Sequence, residues 1–557
     1  MPFPRASAAP ADACYQHPAR NGRARGLGRT GGGEHGRYTL PAMERRAKIV
    51  ATLGPATSGE QALRALLHAG VDVVRLNLSH GSDEEHRRRC ELVRRVAGEE
   101  GIHLPVMLDL MGPRYRLGDL AGGQRGQRWQ RSLRAGEEVS LGAASAGVGL
   151  PVDAPHFLDH LTPGERVLID GGLVELRVEA IESGRVRARV VHGGVVAARK
   201  GINLPDSALP FEISAKDRDD IAFAVAVGAD YLAASYVGEA AHLAALRREV
   251  EAAGGSIPLV AKLERASAIE HLDEITAAAD ALMVARGDLG VEVALATVPV
   301  LQKKIIAAAR RAGKPVIVAT QMLESMIEQP RPTRAEATDV ANAVLDGADA
   351  LMLSGETAVG RFPVEVITTM AGIIQEAEAY ARASSAANPA AALPGSPGPP
   401  PRQGELPLEV PDLVSAAAVH AASQLGVSLI VAFSLGGSTA RLVARYRPAA
   451  SIIAFTPDPR VARQAQLVWG VRRLLASDPV VTLDDVVRVV ERQLLGAGLV
   501  RPGDRILILM GHPIRDRPPT NLMRVHRIGR PAGDGWAAFP EVAGEGSSAA
   551  PPQDRHP

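Results

Sequence analysis

At 557 residues the chain is too long for one hydrophobic core, so roughly two to four domains are expected. A formal net charge of +1, with 46% apolar, 22% charged and 3% aromatic residues, leaves no large basic face for nucleic acid and little for base stacking. Two cysteines, Cys14 and Cys90, are too few for a disulfide framework or a thiolate metal cage, which points to a reducing cytoplasm.

In chain order, the first segment carries Arg and Gly without the apolar stretch of a secretory signal. Residues 1–43 are expected to be a disordered extension, or the product of a start codon assigned upstream of Met43. Apolar runs of strand length then alternate with amphipathic helices. The predicted strands are 47–54, 71–78, 104–110, 230–236, 257–263, 281–285, 315–320 and 350–353, with helices such as 59–69, 84–98, 216–227 and 298–312 between them. Such strands are parallel and covered on both faces, and eight units fit a (β/α)8 (TIM) barrel, α/β in class, over 44–116 and 210–381. Short β-like pieces at 138–141, 166–169, 173–180 and 185–191 interrupt it and predict a small all-β lid domain, 117–209, inserted at the rim. An Ala/Pro/Gly-rich linker is expected at 382–406. A C-terminal α/β domain follows over 407–529, with strands near 429–433, 451–455, 505–510 and 523–528, and a disordered tail over 530–557. Residues 413–433 carry no formal charge but lack the sustained Leu/Ile/Phe content of a membrane span, so a buried helix and strand are predicted and no membrane partner.

The ends of the eight strands are polar in a consistent way. They present Thr52, then Arg75, Asn77, Ser79 and His80, then Asp109, Ser235, Lys262 with Glu264, Arg286 with Asp288, Thr320 with Gln321, and Ser354 with Glu356. That rim is where barrels of this kind keep their active sites. Glu264 and Asp288, with no His or Cys near them in sequence, suit a hard cation such as Mg²⁺ completed by water and substrate oxygens, the alternative being salt bridges to Arg or Lys. The run 286–290 (RGDLG) has glycines that let the backbone turn closely, and its N–H groups can cradle a carboxylate or phosphate. Lys262 lies two residues before Glu264, so both side chains point to one side of their strand. A lysine there can form a Schiff base or stabilise a phosphoryl group in transfer; the adjacent carboxylates and Arg75 favour the second.

The runs 48–55 (KIVATLGP), 75–81 (RLNLSHG), 285–292 (ARGDLGVE), 319–326 (ATQMLESM) and 330–360 (PRPTRAEATDVANAVLDGADALMLSGETAVG) resemble the pyruvate kinase family, and the likeness extends over 45–529. The resemblance implies a cytoplasmic enzyme of glycolysis that moves the phosphoryl group of phosphoenolpyruvate onto ADP, giving pyruvate and ATP. It also implies an inserted lid, a C-terminal regulatory domain and a homotetramer. Glu264 and Asp288 would hold Mg²⁺ (or Mn²⁺), bridging the phosphoryl group and the enolate oxygen. Lys262 and Arg75 would stabilise the phosphoryl group. The backbone of Gly287 and Asp288, with the Thr320 hydroxyl, would hold the substrate carboxylate, with Ser354 and Glu356 behind them. Nucleotide contacts would come from Thr52, Pro55, Asn77, His80, Arg116 and Lys200.

The sequence departs from the family pattern at several points. Many members need K⁺, held at positions matching Asn77, Ser79, Asp109 and the Leu110 carbonyl, followed by Thr-Lys-Gly-Pro-Glu; here residues 110–114 read LMGPR. Arg114 puts a fixed positive charge where a carboxylate is usual, so K⁺ is expected not to be required. Residues 434–441 (SLGGSTAR) match the loop for phosphorylated effectors, with Ser434, Gly436, Gly437, Ser438 and Thr439 as its candidate contacts, but Leu435 stands where a basic or polar residue is common. Gly172 follows Asp170-Gly171 where the lid usually reads Asp-Asp-Gly, and Gly238 replaces an Arg. The competing readings are a Mg²⁺-dependent lyase or aldolase handling pyruvate on the same barrel, and a catalytically silent metabolite sensor.

Overall fold

The computed structural model describes residues 45–112, 115–119, 129–144, 148–153, 155–182, 184–207, 211–387, 409–476, 480, 482–514 and 518–529. The extension 1–43, the tail 530–557 and Arg114 lie outside them.

Eight parallel strands close into a barrel. In chain order they are Lys48–Thr52, Val73–Asn77, Val106–Asp109, Tyr231–Ala234, Leu259–Leu263, Ala281–Ala285, Val316–Ala319 and Ala350–Leu353, and closure comes from Lys48 pairing with Ala350. Each is a short, mostly Val, Ile, Leu, Met and Ala run, buried almost throughout, as a parallel strand wrapped by helices must be. All eight predicted strands are present, trimmed by up to two residues at their ends. The helices start where the sequence supplies caps: Ser82 with Glu85, Ser214 with Asp217 and Thr333 with Glu336 each form a reciprocal capping box. Helix Arg334–Asp346 stops at Gly347, whose φ of 98° only glycine adopts cheaply.

Two expected boundaries move. Tyr115–Arg116 pairs with Gly201–Asn203, so the inserted sheet begins ahead of residue 117. The helix Pro363–Ala387 runs past 381, because the Ala/Ser run there is good helix sequence. The rest of the expected linker, 388–406, lies outside the described residues. The insertion is a seven-stranded sheet with a separate two-stranded ribbon, and it has its own core around Leu141, Val167, Leu176 and Ile202. The C-terminal domain is a five-stranded sheet, parallel except for Leu522–Arg527. Its edge strand Val471–Ala476 was not predicted: the consecutive arginines Arg472 and Arg473 break the apolar run that marks its neighbours. No helix among the described residues is long and apolar enough to cross a membrane.

The C-terminal domain is keyed into the floor of the barrel. Leu467 is fully buried among Val50, Val73, Met107, Ile317 and Met352, which all point to the barrel axis. Polar contacts surround this plug: Tyr231 donates its hydroxyl to the Gln464 carbonyl (2.7 Å), Arg463 pairs with buried Asp230 (2.7 Å), and Lys48 donates to the Val471 carbonyl (2.6 Å). Arg46 and Arg447 both lie over the Trp469 ring, with guanidinium carbons 5.3 and 4.7 Å from its centroid. Leu467→Ala therefore removes a buried side chain from a site that cannot collapse, and should destabilise the protein by about 2–5 kcal/mol, read as a lower urea midpoint at unchanged slope.

Candidate active site at the barrel mouth

The polar strand ends converge on a web of four charges, three buried and that of Lys262 half-buried. Arg75, at the end of the second strand, donates from Nε to Asp109 Oδ2 (2.7 Å), with Nη2 2.6 Å from the same oxygen. The register that pairs Asn77 with Asp109 brings these neighbouring strands into that contact. Across the mouth, Lys262 Nζ lies 3.2 Å from Asp109 Oδ1, 2.9 Å from Glu264 Oε1 and 2.6 Å from the Ser235 hydroxyl oxygen. Glu264 Oε2 accepts from the Tyr236 backbone N–H (2.7 Å). Asp109 and Glu264 are each 1% exposed. Burial alone would neutralise these groups. Instead, Lys262 and Arg75 hold the Asp109 carboxyl below its ordinary value against burial, and Asp109 and Glu264 hold the Lys262 ammonium above its own. Glu264 is the exception: burial, then the like charge of Asp288, push it up against the pull of Lys262.

That last effect bears on a metal. Two carboxylates close enough to repel, one of them buried, are what a divalent cation would bridge. Among the described residues no group of three or more His, Cys, Asp and Glu side chains offers a closed metal cage. A hard cation sharing its sphere with water and substrate oxygens fits this donor set better than zinc.

Next to the carboxylates the backbone is strained in one place. Thr320 and Gln321 have φ of 68° and 53°, the left-handed region that a β-branched residue avoids. Arg286 holds them there, donating to the carbonyls of Ala319 (3.3 Å) and Thr320 (2.7 Å) while paired with Asp339 (2.6 Å). The Thr320 hydroxyl, so placed, accepts from the Gly287 N–H (2.8 Å), fixing the start of helix Arg286–Glu292 and with it Asp288. Asp339 was not singled out from sequence; it sits mid-helix, and only the closed barrel brings it to Arg286.

The remaining expected residues fall into separate groups. The Thr52 hydroxyl is buried, donating to the Leu353 carbonyl (2.8 Å) and accepting from Arg75 Nη1 (3.0 Å), so it props Arg75 and is not open to the mouth. Glu356 is buried and accepts from the backbone N–H groups of Ser354 (2.7 Å) and Leu323 (3.3 Å), tying together the ends of the last two strands. Asn77 Oδ1 accepts from the Ser79 N–H (3.1 Å), and the Leu110 carbonyl from the Ser235 hydroxyl (2.8 Å). Pro55 and His80 are exposed, and the His80 carbonyl is 2.7 Å from Nε2 of buried His86. Arg116 lies in the inserted sheet, donating to the Arg199 carbonyl (3.0 Å), and Lys200, just ahead of the strand that pairs with it, is paired with Asp170 (2.7 Å). The Asn203 amide of the inserted sheet donates to Glu292 (3.2 Å), on the helix that carries Asp288. A Cβ at Gly238 would come within 2.7 Å of the Ser267 hydroxyl oxygen, so the neighbouring packing suits the glycine found there.

In the C-terminal domain Ser434, Gly436, Ser438 and Thr439 line a cleft of about 830 Å³ closed on its far side by Ile514 and Thr520. Gly437, at φ 75°, turns the chain into helix Ser438–Ala444, while the buried Thr439 hydroxyl is engaged with that of Thr520 (2.7 Å).

A charged rim on a closed parallel barrel, with an inserted sheet and a C-terminal α/β domain, defines the class: an enzyme of the (β/α)8 type. Residues 44–367 match the family described as pyruvate kinase, barrel domain, and residues 412–526 that described as pyruvate kinase, alpha/beta domain. The chain is 41% identical over 489 residues to the pyruvate kinase of Mycobacterium tuberculosis, covering 87% of this chain and 99% of the relative. It is 39% identical over 494 residues to that of Geobacillus stearothermophilus, covering 87% and 81%. A crystal structure of a pyruvate kinase from Cryptosporidium parvum superposes with a TM-score of 0.76 at 32% identity, covering 87% of this chain and 96% of the other. The chain belongs to the pyruvate kinase family. Its reaction is the transfer of the phosphoryl group of phosphoenolpyruvate to ADP, a step of glycolysis.

Asp109 holds both mouth cations, so Asp109→Asn should cost about 3–5 kcal/mol at neutral pH by leaving charge buried and uncompensated. Because the folded carboxyl titrates below its unfolded value of about 3.9, its contribution is present above that pH and lost as pH falls through the folded value. Urea unfolding of both proteins should show a gap that is widest near neutrality and narrows below about pH 4; a gap independent of pH would contradict this assignment.

Proposed function

We propose that the barrel mouth is where phosphoenolpyruvate meets ADP, and that Lys262 is the group that stabilises the phosphoryl group in transit. The observation that carries this is the threefold hold on Nζ by Ser235, Asp109 and Glu264, which keeps an ammonium charged and aimed where burial would otherwise discharge it. Arg75, propped by Thr52 and Asp109, supplies the second positive charge. Fixed charges of this kind act without reorganising as negative charge moves between oxygens. Glu264 and Asp288 are the residues that would hold Mg²⁺ (or Mn²⁺), which when bound supplies further charge neutralisation to the phosphoryl oxygens. The N–H groups of Gly287 and Asp288, with the Thr320 hydroxyl, receive the substrate carboxylate. Ser354 and Glu356 act behind them by holding the neighbouring strand end.

The nucleotide is met by Pro55, Asn77 and His80 from the barrel and by Arg116 and Lys200 from the lid, with Thr52 acting through Arg75. K⁺ is not required. The oxygens a K⁺ would use already have donors at Asn77, Asp109 and Leu110, which supports this reading, and Arg114 is its charged replacement. The C-terminal cleft takes a phosphorylated effector at Ser434, Gly436, Gly437 and Ser438. The protein works as a cytoplasmic homotetramer; exposed Leu295 and Val300, at 76% and 54%, support a further apolar contact beside helix Val298–Arg311.

Lys262→Met should lower kcat by about 10²–10³-fold with KM for both substrates nearly unchanged, since the interaction lost belongs to the transition state. Wild-type turnover should be equal in K⁺ and in a bulky organic cation at matched ionic strength. Several-fold stimulation by K⁺ would discard the role of Arg114 and leave the kinase reading intact.

A further inference from the structure

The chain leaves the barrel after strand Val106–Asp109 and comes back to it at helix Ala215–Ala226, and one side chain ties both crossings. On the outgoing side Asp217 Oδ1 accepts from the Gly112 N–H (3.2 Å). On the returning side Asp217 Oδ2 accepts from the Ser214 N–H (3.1 Å) and from the Ser214 hydroxyl (2.6 Å). Gly112 and Ser214 bracket the whole inserted sheet, and the carboxyl group between them is 2% exposed. A carboxyl buried that far is tolerated only where donors meet it, and here three do.

Helix capping alone does not call for this arrangement. Four α-helices among the described residues start with a reciprocal capping box, closed by Glu85, Asp217, Glu336 and Asp485. Glu85 is exposed, and Glu336 and Asp485 are half-buried. Asp217 alone is buried, and its second oxygen serves the outgoing chain. That chain is also held from beneath. The Leu110 carbonyl accepts from the Ser235 hydroxyl (2.8 Å), and Gly112, at φ 67°, lies so close that a Cβ there would be 2.9 Å from that of Ser235. Ser235 is also the partner of Lys262 Nζ (2.6 Å). The root of the inserted sheet is thus seated on the side chain that positions the lysine of the mouth.

We propose that Asp217 is the pin of the inserted sheet, a positioning residue that clamps both roots so that the sheet keeps one seat over the barrel mouth. Two strands of chain joined at a single buried point can turn about it together but cannot slide past one another. Farther out the sheet meets the barrel through longer contacts, Asn203 to Glu292 (3.2 Å) and Arg265 to the Ser207 carbonyl (3.4 Å), which do not substitute for the pin. The consequence for turnover rests on the reading of the sheet as a lid that brings Arg116 and Lys200 to the nucleotide: a slack root would weaken ADP binding and leave phosphoenolpyruvate, held by the barrel, unaffected.

The test compares Asp217→Asn with Ser214→Ala in the full-length protein. The amide turns an N–H toward one of the donors and opens the clamp, whereas loss of the Ser214 hydroxyl weakens the helix cap and leaves the Gly112 contact in place. Both variants should show a lower thermal midpoint. Spin labels on Arg187→Cys in the inserted sheet and Glu328→Cys on the barrel, both exposed positions, with Cys14→Ser and Cys90 buried, report the spread of distances between the two bodies. Asp217→Asn should widen that spread about twofold and raise KM for ADP about tenfold with KM for phosphoenolpyruvate unchanged, and Ser214→Ala should do neither. A spread as narrow in Asp217→Asn as in wild type, or equally wide in Ser214→Ala, would overturn the pin. A wider spread in Asp217→Asn alone, with KM for ADP unmoved, would uphold the pin and remove the sheet from the nucleotide site, so the two readings fail separately.

Discussion

Two cations and two carboxylates share the mouth of the barrel with little exposed surface, and the surrounding rim is arranged to keep them there. Arg75, Lys262, Asp109 and Glu264 form a closed set in which each cation meets a carboxylate and Asp109 meets both cations. With so little of it exposed, such a set is stable only while complete, because removing one member leaves a charge that nothing else can answer. The barrel makes it complete. Adjacent strands in register bring Arg75 to Asp109, the twofold alternation of one strand puts Lys262 and Glu264 on the same side, and Ser235 and the Tyr236 N–H take up positions on the next strand end. The set thus keeps two cations charged and positioned at the mouth without any rearrangement of the protein around them.

A second constraint works through the backbone. Thr320 and Gln321 stay in an unfavourable conformation because Arg286 holds two consecutive carbonyls and is itself held by Asp339. Conformational strain of this kind costs of order 1–3 kcal/mol per residue and persists only where neighbours over-determine it. Here it turns the Thr320 hydroxyl toward the Gly287 N–H, so the strain fixes the position of the loop that carries Asp288.

The strands were legible in the sequence because each is a doubly buried apolar run, and their polar ends were legible because side chains at a barrel rim abut those runs directly. Glu264, Asp288, Lys262 and Arg75 could be named on that ground. Their partnerships could not. That Asp109 serves two cations, that Thr52 turns inward to Arg75, and that Asp339 grips Arg286 all follow from closure of the barrel, which brings together residues far apart in sequence. The left-handed turn at Thr320 left no trace either, since threonine is a poor residue for it and the forces that impose it are tertiary. Elements whose stability comes from pairing rather than from their own pattern were missed in the same way: the two-residue strand Tyr115–Arg116, and Val471–Ala476 with its consecutive arginines.

The floor and the mouth are joined by very little chain. Asp349, which receives Arg447 at the floor, directly precedes the strand Ala350–Leu353, and Ser354 directly follows it. Asp349 also accepts from the Val316 N–H at the start of the seventh strand, so one carboxylate fixes the entry of two strands. At their far ends lie Thr320 and the Glu356 carboxylate that ties the two together. Fully buried, hydrogen-bonded strands of four residues do not stretch, and a packed interior resists small displacements rather than absorbing them. Asp349 at the floor is thus joined by a short, stiff route to the mouth, through the two strands whose upper ends carry the strained turn and the Ser354 backbone.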